Sequence, residues 1–118
     1  MDGLSFDVIG NKLILDNFDA LELETLAKVD VSLEQAGEVG KQYAEDHAPV
    51  SDIDTPGYVH MKEQYYAEVH DHTLTLGNDS DHIVFVELGT HKMKAQPTLV
   101  PGALIAADDF KKRLEGML

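Results

Sequence analysis
Apolar positions recur along this chain with two periods, about 2 residues in some stretches and about 3.6 in others, and the switches between them outline its elements. Leu4, Phe6, Val8 and Ile9 alternate with polar residues well enough for a first strand. Gly10-Asn11 then supplies a turn before Leu13, Ile14 and Leu15, so the pair reads as a hairpin. Phe18, Leu21 and Leu26 fit a short helix over residues 18–28, opened by Asp16 or Asn17. Leu21 and Leu23 on either side of Glu22 also fit alternation, and helix is the preferred reading.

Residues 32–47 carry the strongest helical signal. Leu33, Ala36, Val39, Tyr43 and Ala44 recur at helical spacing, Ser32 and Gln35 make a capping-box pattern, and Ala48-Pro49 stops the run. Ala36, Gly40 and Ala44 lie on one face and would let another element approach closely. Against this, Gly37 and Gly40 each cost the helix about 1 kcal/mol, so they could equally mark a weak surface helix.

Residues 58–63, 65–71 and 73–76 read as short strands, and Gly77-Asn78-Asp79-Ser80-Asp81 as a turn. Ile83, Val84, Phe85, Val86 and Leu88 form a β-branched and aromatic run interrupted by Glu87, which suits a strand over 82–88 buried on both faces. Together these segments predict an antiparallel meander. Pro101 fits the first turn of a C-terminal helix in which Leu104, Ala107, Phe110, Leu114 and Met117 share a face. Asp108 and Asp109 precede Lys111, Lys112 and Arg113 there, an order that suits the helix dipole. The expected fold is α+β: a small antiparallel β-sheet packed by a long central helix and a C-terminal helix. It forms a single domain over 1–118, with exposed loops near 49–58 and 89–101.

At 118 residues the chain is large enough to bury a core without staples, and zero cysteines exclude disulfides and thiolate metal sites. An intracellular, soluble protein is expected, because Met1-Asp2-Gly3 opens no signal peptide and no window approaches the roughly 18 apolar residues of a membrane span. The net charge of −13 is uneven: residues 1–59 carry 13 acids and 3 lysines (−10), residues 60–118 carry 9 acids and 6 bases (−3). Duplex binders show the opposite sign, since Lys and Arg neutralise phosphates, so direct DNA binding is not expected. Such acidity suits a solvated surface or, more sharply, the wall of a channel from which DNA is repelled as it slides. An acidic decoy for a DNA-binding enzyme is a further reading.

Candidate chemistry is sparse. Among His47, His60, His70, His72, His82 and His91, only His70-Asp71-His72 suggests metal spacing, because a strand there would put both imidazoles on one side. No His-Glu-x-x-His pattern, Gly-x-Ser-x-Gly elbow or phosphate-binding glycine loop occurs. Glu87 has no acid partner nearby and reads better as a carboxylate accepting backbone or lysine hydrogen bonds at the strand end or across a subunit interface. No enzyme, metal or other cofactor is expected.

The remaining signal is a loop. Gly89 breaks the pattern after Leu88 and Thr90 can close a turn. Lys92, Met93, Lys94 and Gln96 then place a thioether between two cations in a stretch that Pro97 and Pro101 stiffen. Glu87-Leu88-Gly89-Thr90, followed by Lys92-Met93, Ala95-Gln96-Pro97, Leu99 and Pro101, resembles the Glu-Phe-Gly-Thr, Lys-Met and Ala-Gln-Pro-Phe-Leu-Arg-Pro-Ala pattern of the tail-component family of Hong Kong-type long-tailed phages. A second block, His47-Ala48-Pro49-Val50 with Asp54-Thr55 and Gly57, is similar to the Ala-Pro-Val-Asp-Thr-Gly of the same family. The chain departs from that pattern at Ser51, Asp52 and Ile53, at Pro56, at Thr98 where an aromatic is usual, and at Gly102.

The family's members are small neck, head–tail joining or tail-completion proteins. The resemblance therefore implies a structural virion protein made in the host cytoplasm and placed at the head–tail neck or upper tail. It would form a homo-oligomeric ring around passing DNA, with a hexamer the natural expectation. Its partners would be copies of itself and other neck, tail-tube or head-completion proteins, without a membrane. Glu87, Gly89, Thr90, Lys92, Met93, Lys94, Gln96, Pro97 and Leu99 would supply subunit or partner contacts, with Met93 and Leu99 burying apolar surface. Tail-tube terminator and minor capsid component are the alternative roles.

Overall fold
The structure, a computed structural model, describes residues 3–9, 23–49 and 60–116. Its elements run β1 (Leu4–Ile9), α1 (Leu23–His47), a 3-10 turn (Met61–Gln64), β2 (Tyr65–His70), β3 (Thr73–Asn78), α2 (Ile83–Leu88) and α3 (Leu99–Gly116). The architecture is α+β: a three-stranded antiparallel sheet in the order β1-β3-β2, with the two long helices packed against it. No described helix is long and apolar enough to cross a membrane.

Register sorts the strand residues into two faces. Leu76 lies between Phe6 and Ala67, and Asn78 between Leu4 and Tyr65, while Leu74 faces Val69. Directly opposed residues share a face, so these make the side that meets the helices, and Ser5, Asp7, Tyr66, Glu68 and Thr75 make the polar side. β2 and β3 are joined by Asp71-His72, both at positive φ (50° and 60°), a two-residue turn whose twist matches that of the strands. The His72 Nδ1 donates to Asp30 Oδ1 at 2.7 Å and ties the hairpin tip to α1. His70 and His72 therefore do not share one side of a strand, and among the described residues no group of three or more His, Cys, Asp or Glu could hold a metal ion.

α1 starts well before the expected cap. Ser32 is interior and its hydroxyl donates to the Lys28 carbonyl at 3.1 Å, a bond to the preceding turn rather than a capping bond. The buried stripe runs Val29, Leu33, Ala36, Gly40 and Ala44, whereas Val39 faces solvent. The small residues on this stripe do permit close approach: a Cβ on Gly40 would lie 2.5 Å from the Gly102 carbonyl oxygen and 2.9 Å from the Ala106 Cβ of α3. α3 runs antiparallel to α1, since Arg113 Nη1 reaches Gln35 Oε1 (2.9 Å) at one end while Gly102 meets Gly40 and Ala44 at the other.

The inward face of α3 is Leu99, Gly102, Ala106, Phe110 and Leu114, so Leu104, expected inside, is 65% exposed. Lys112 and Arg113 pair with Asp108 and Asp109 one turn earlier. Among the described residues two contiguous groups fill the core: Val29, Leu33, Ala36, Leu74, Ala106, Phe110 and Leu114 toward one end, and Ala44, Met61, Tyr65, Leu76, Ile83, Val86 and Leu99 toward the other.

Three further expectations are corrected. Residues 61–64 form a 3-10 turn instead of continuing a strand, and Gly77 and Asn78 belong to β3, with the turn following them. Residues 82–88 are no strand: 83–88 form the short helix α2, so the sheet gains its third strand from β1 instead of a continuing meander. The arm at 13–15, the proposed helix start at 18–22 and the loop at 50–58 lie outside the described residues.

Candidate functional site
The segment singled out in the sequence lies between α2 and α3, and its geometry begins with a polar knot before α2. Asn78, fully buried, donates from Nδ2 to the Met61 carbonyl at 2.8 Å and accepts the Ser80 amide on Oδ1 at 2.8 Å. Ser80 Oγ in turn accepts the His82 amide at 3.1 Å, which sets the entry of α2. The sequence pattern places Asn78 in a turn, and the one hint of its buried role is an amide side chain close to the end of an apolar strand.

Helical spacing then puts Ile83, Val86 and Glu87 on the inner side of α2 and Phe85 and Leu88 outside, 53% and 70% exposed. A strand would send Val86 and Glu87 to opposite faces, while the helix turns both inward. Glu87, 4% exposed, accepts the Thr98 and Leu99 amides on Oε1 (2.9 Å each) and the Val100 amide on Oε2 (3.0 Å). Thr98 is the residue from which α3 starts, because its carbonyl accepts the first helical bond, from Gly102 N at 2.9 Å. The N–H groups left open at that helix start are therefore those of residues 98 to 101, and Pro101 has none. Glu87 satisfies all three that exist and sets its charge at the positive end of the helix dipole. Its expected role as an acceptor of backbone hydrogen bonds is what the structure shows, from a helix instead of a strand end.

Tyr65 completes this buried cluster, its hydroxyl sharing a 2.5 Å hydrogen bond with Thr98 Oγ1. Burial pushes the Tyr65 phenol above its usual pKa, the Thr98 bond works in the opposite sense, and the charges of Glu87 and Glu45 raise it further.

From this base the loop projects. Gly89 takes φ +75°, its amide donates to the Phe85 carbonyl at 2.7 Å, and a Cβ there would lie 2.7 Å from the Ala95 amide nitrogen. Both features call for glycine. Thr90 and Met93 exchange backbone hydrogen bonds (2.8 and 3.2 Å), Thr90 Oγ1 accepts the Lys92 amide at 3.2 Å, and the Gln96 amide returns to the Val86 carbonyl at 2.7 Å. The tip is closed on itself and both feet stand on α2.

Of the nine residues expected to make contacts, Thr90, Lys92, Met93, Lys94, Gln96 and Pro97 are on the surface and Gly89 is the hinge. Glu87 and Leu99 point into the chain's own core, so Leu99 has no apolar surface to offer a partner, and the loop ends at Thr98 rather than near 101. Among the described residues neither Lys92 nor Lys94 has an ion-pair partner. Phe85, Leu88, Val100 and Leu104 are exposed on the two helices that hold the loop, and reading 82–88 as a buried strand concealed the first two. Comparison of the chain with known protein families, with curated proteins and with solved structures gives no match.

Proposed function
We propose that this chain is a structural virion protein of a tailed phage or prophage: a ring-forming subunit that completes the tail or joins it to the head and surrounds the DNA channel. The observation that carries the reading is the 89–97 loop, whose sequence bears the resemblance. It is anchored at both feet and displays the Met93 side chain between the Lys92 and Lys94 ammonium groups, which have no ion-pair partner among the described residues. Fixing a loop before contact removes part of the ordering cost of association, a property suited to an assembly surface. The chain's chemistry on this reading is association, and its partners are copies of itself and the neighbouring neck, tail-tube or head-completion proteins.

A net charge of −13 supports the same reading, because like charge on a channel wall keeps DNA from sticking during passage. Negative-stain microscopy of lysates from a phage or prophage lacking this gene tests it. DNA-filled heads separate from complete tails are the expected result, and intact infectious particles would refute the role.

A further inference from the structure
An open groove of about 450 Å³ runs between α1 and the β2–β3 hairpin, lined by Ala67, Val69 and Leu74 on the sheet and by Glu34, Gln35 and Glu38 on α1. The two glutamates stand one helical turn apart, like charges that repel each other on one helix face and have no cation paired with them among the described residues. On α1 and α3, Glu45, Asp108 and Asp109 are neutralised within their own helix by Lys41, Lys112 and Arg113, and Asp30 pairs with His72 of the hairpin turn, whereas Glu34, Glu38, Asp46 and Glu115 have no ion-pair partner among the described residues. The groove thus has an apolar floor and a polar rim on which Glu34 and Glu38 carry no paired cation among the described residues, with Gln35 between them accepting from Arg113 at 2.9 Å.

The loop tip is its counterpart. Met93 is an apolar, conformationally adaptable side chain between two lysines that also lack partners among the described residues. Lys92 and Lys94, two residues apart, are separated by at most about 7 Å along the chain, close to the about 5–6 Å between positions one helical turn apart such as those of Glu34 and Glu38. Residues 88–97 contain two lysines and no acid in a chain that is otherwise strongly acidic.

Building on the ring reading above, we propose that the Lys92-Met93-Lys94 tip of one copy docks in the α1–β2 groove of a second copy, with Met93 on the apolar floor and the lysines on Glu34 and Glu38. Tip and groove are different surfaces, so the contact is head-to-tail: each copy offers one of each, and repetition closes into a ring where the rotation allows it. Charge complementarity sets the register and speeds encounter. The contact is far smaller than the roughly 800 Å² per partner of a stable interface, so a free pair is short-lived and closure of the ring supplies the stability.

The chain has no cysteine, so introduced thiols are unique. Copies of the chain carrying Met93→Cys are mixed with tagged copies carrying Glu38→Cys at high concentration and joined with a short bis-maleimide. The expected product is the mixed 93–38 dimer, well above that obtained when the partner thiol is Glu115→Cys. Adding Lys92→Glu and Lys94→Glu to the first copy lowers its yield about tenfold, and Glu34→Lys in the second recovers it. Circular dichroism of each variant establishes that it is folded. A 93–38 yield no higher than the Glu115→Cys control, or predominant 93–93 dimers, overturns the docking. Rings seen by microscopy without the 93–38 link leave the neck reading standing and remove this contact. The link together with intact particles from the gene deletion keeps the contact and removes the neck reading.

Discussion
Glu87 and Thr98 are joined by a 2.9 Å hydrogen bond from the Thr98 amide to Oε1, and through it the end of α2 caps the start of α3. Because the same carboxylate holds three amides, Glu87→Ala leaves three buried or half-buried donors without partners. A loss of about 3 kcal/mol or more is expected. Glu87→Gln keeps one carbonyl oxygen and loses the charge at the helix start, and should cost about 1–2 kcal/mol. Urea unfolding of the two variants measures both, and a change below about 0.5 kcal/mol for Glu87→Ala would show that the cap adds nothing.

The same cluster predicts an alkaline limb. The Tyr65 phenol is raised above its usual value of 10.0, chiefly by burial. A raised folded pKa means that the stability it contributes is complete below the unfolded value, about 10, and is lost as pH rises through the folded one. Stability should therefore fall with pH above about 10, and Tyr65→Phe should flatten that limb after costing about 1 kcal/mol at neutral pH through the lost Thr98 bond. Denaturation midpoints measured at several alkaline pH values decide it, and an unchanged slope in the variant would remove Tyr65 as the cause.

Gly40 and Gly102 bring the backbones of α1 and α3 into contact, which sets helix propensity against packing. Gly40→Ala gains about 1 kcal/mol of propensity, yet its methyl would sit 2.5 Å from a main-chain oxygen that cannot rotate away. The helices must separate, and a net loss of about 1–3 kcal/mol is expected, with Gly102→Ala behaving alike. Gly116→Ala, with nothing within 4 Å, should stay within about 0.5 kcal/mol of the parent. Thermal melts of the three variants test the contrast.

These contacts also explain which parts of the fold were readable. The α+β class, β1, the two hairpin strands and both long helices carry their own periodicity over six residues or more. α2 does not, because Ile83, Val84, Phe85 and Val86 satisfy β propensity and a six-residue window cannot separate the periods. What decides for helix is tertiary: Glu87 must reach the α3 start, and Asn78 and Ser80 fix the entry. Ser32-Gln35 misled for a related reason, since a capping-box pattern is local and the helix continues back to Leu23. In the loop, residue types announced exposure correctly at Lys92, Met93 and Lys94, whereas nothing local distinguishes Leu99 as core.

Met93 and Leu99 therefore separate assembly from folding. Met93→Asp places a charge on an exposed tip whose backbone bonds to Thr90 do not depend on the side chain, so the monomer should keep its denaturation midpoint. On the proposed function it should block assembly, because a carboxylate replaces the apolar contact between two lysines. Leu99→Ala empties a fully buried position against the Ala44 and Leu76 region of the core and should cost about 2–5 kcal/mol, lowering particle yield only through the amount of folded protein. Complementation of a gene deletion by each variant, with folded protein quantified alongside, distinguishes the two routes. Normal infectious particles from Met93→Asp would remove the loop from the assembly surface, since a folded subunit with a carboxylate in place of its apolar tip would then still join its neighbours.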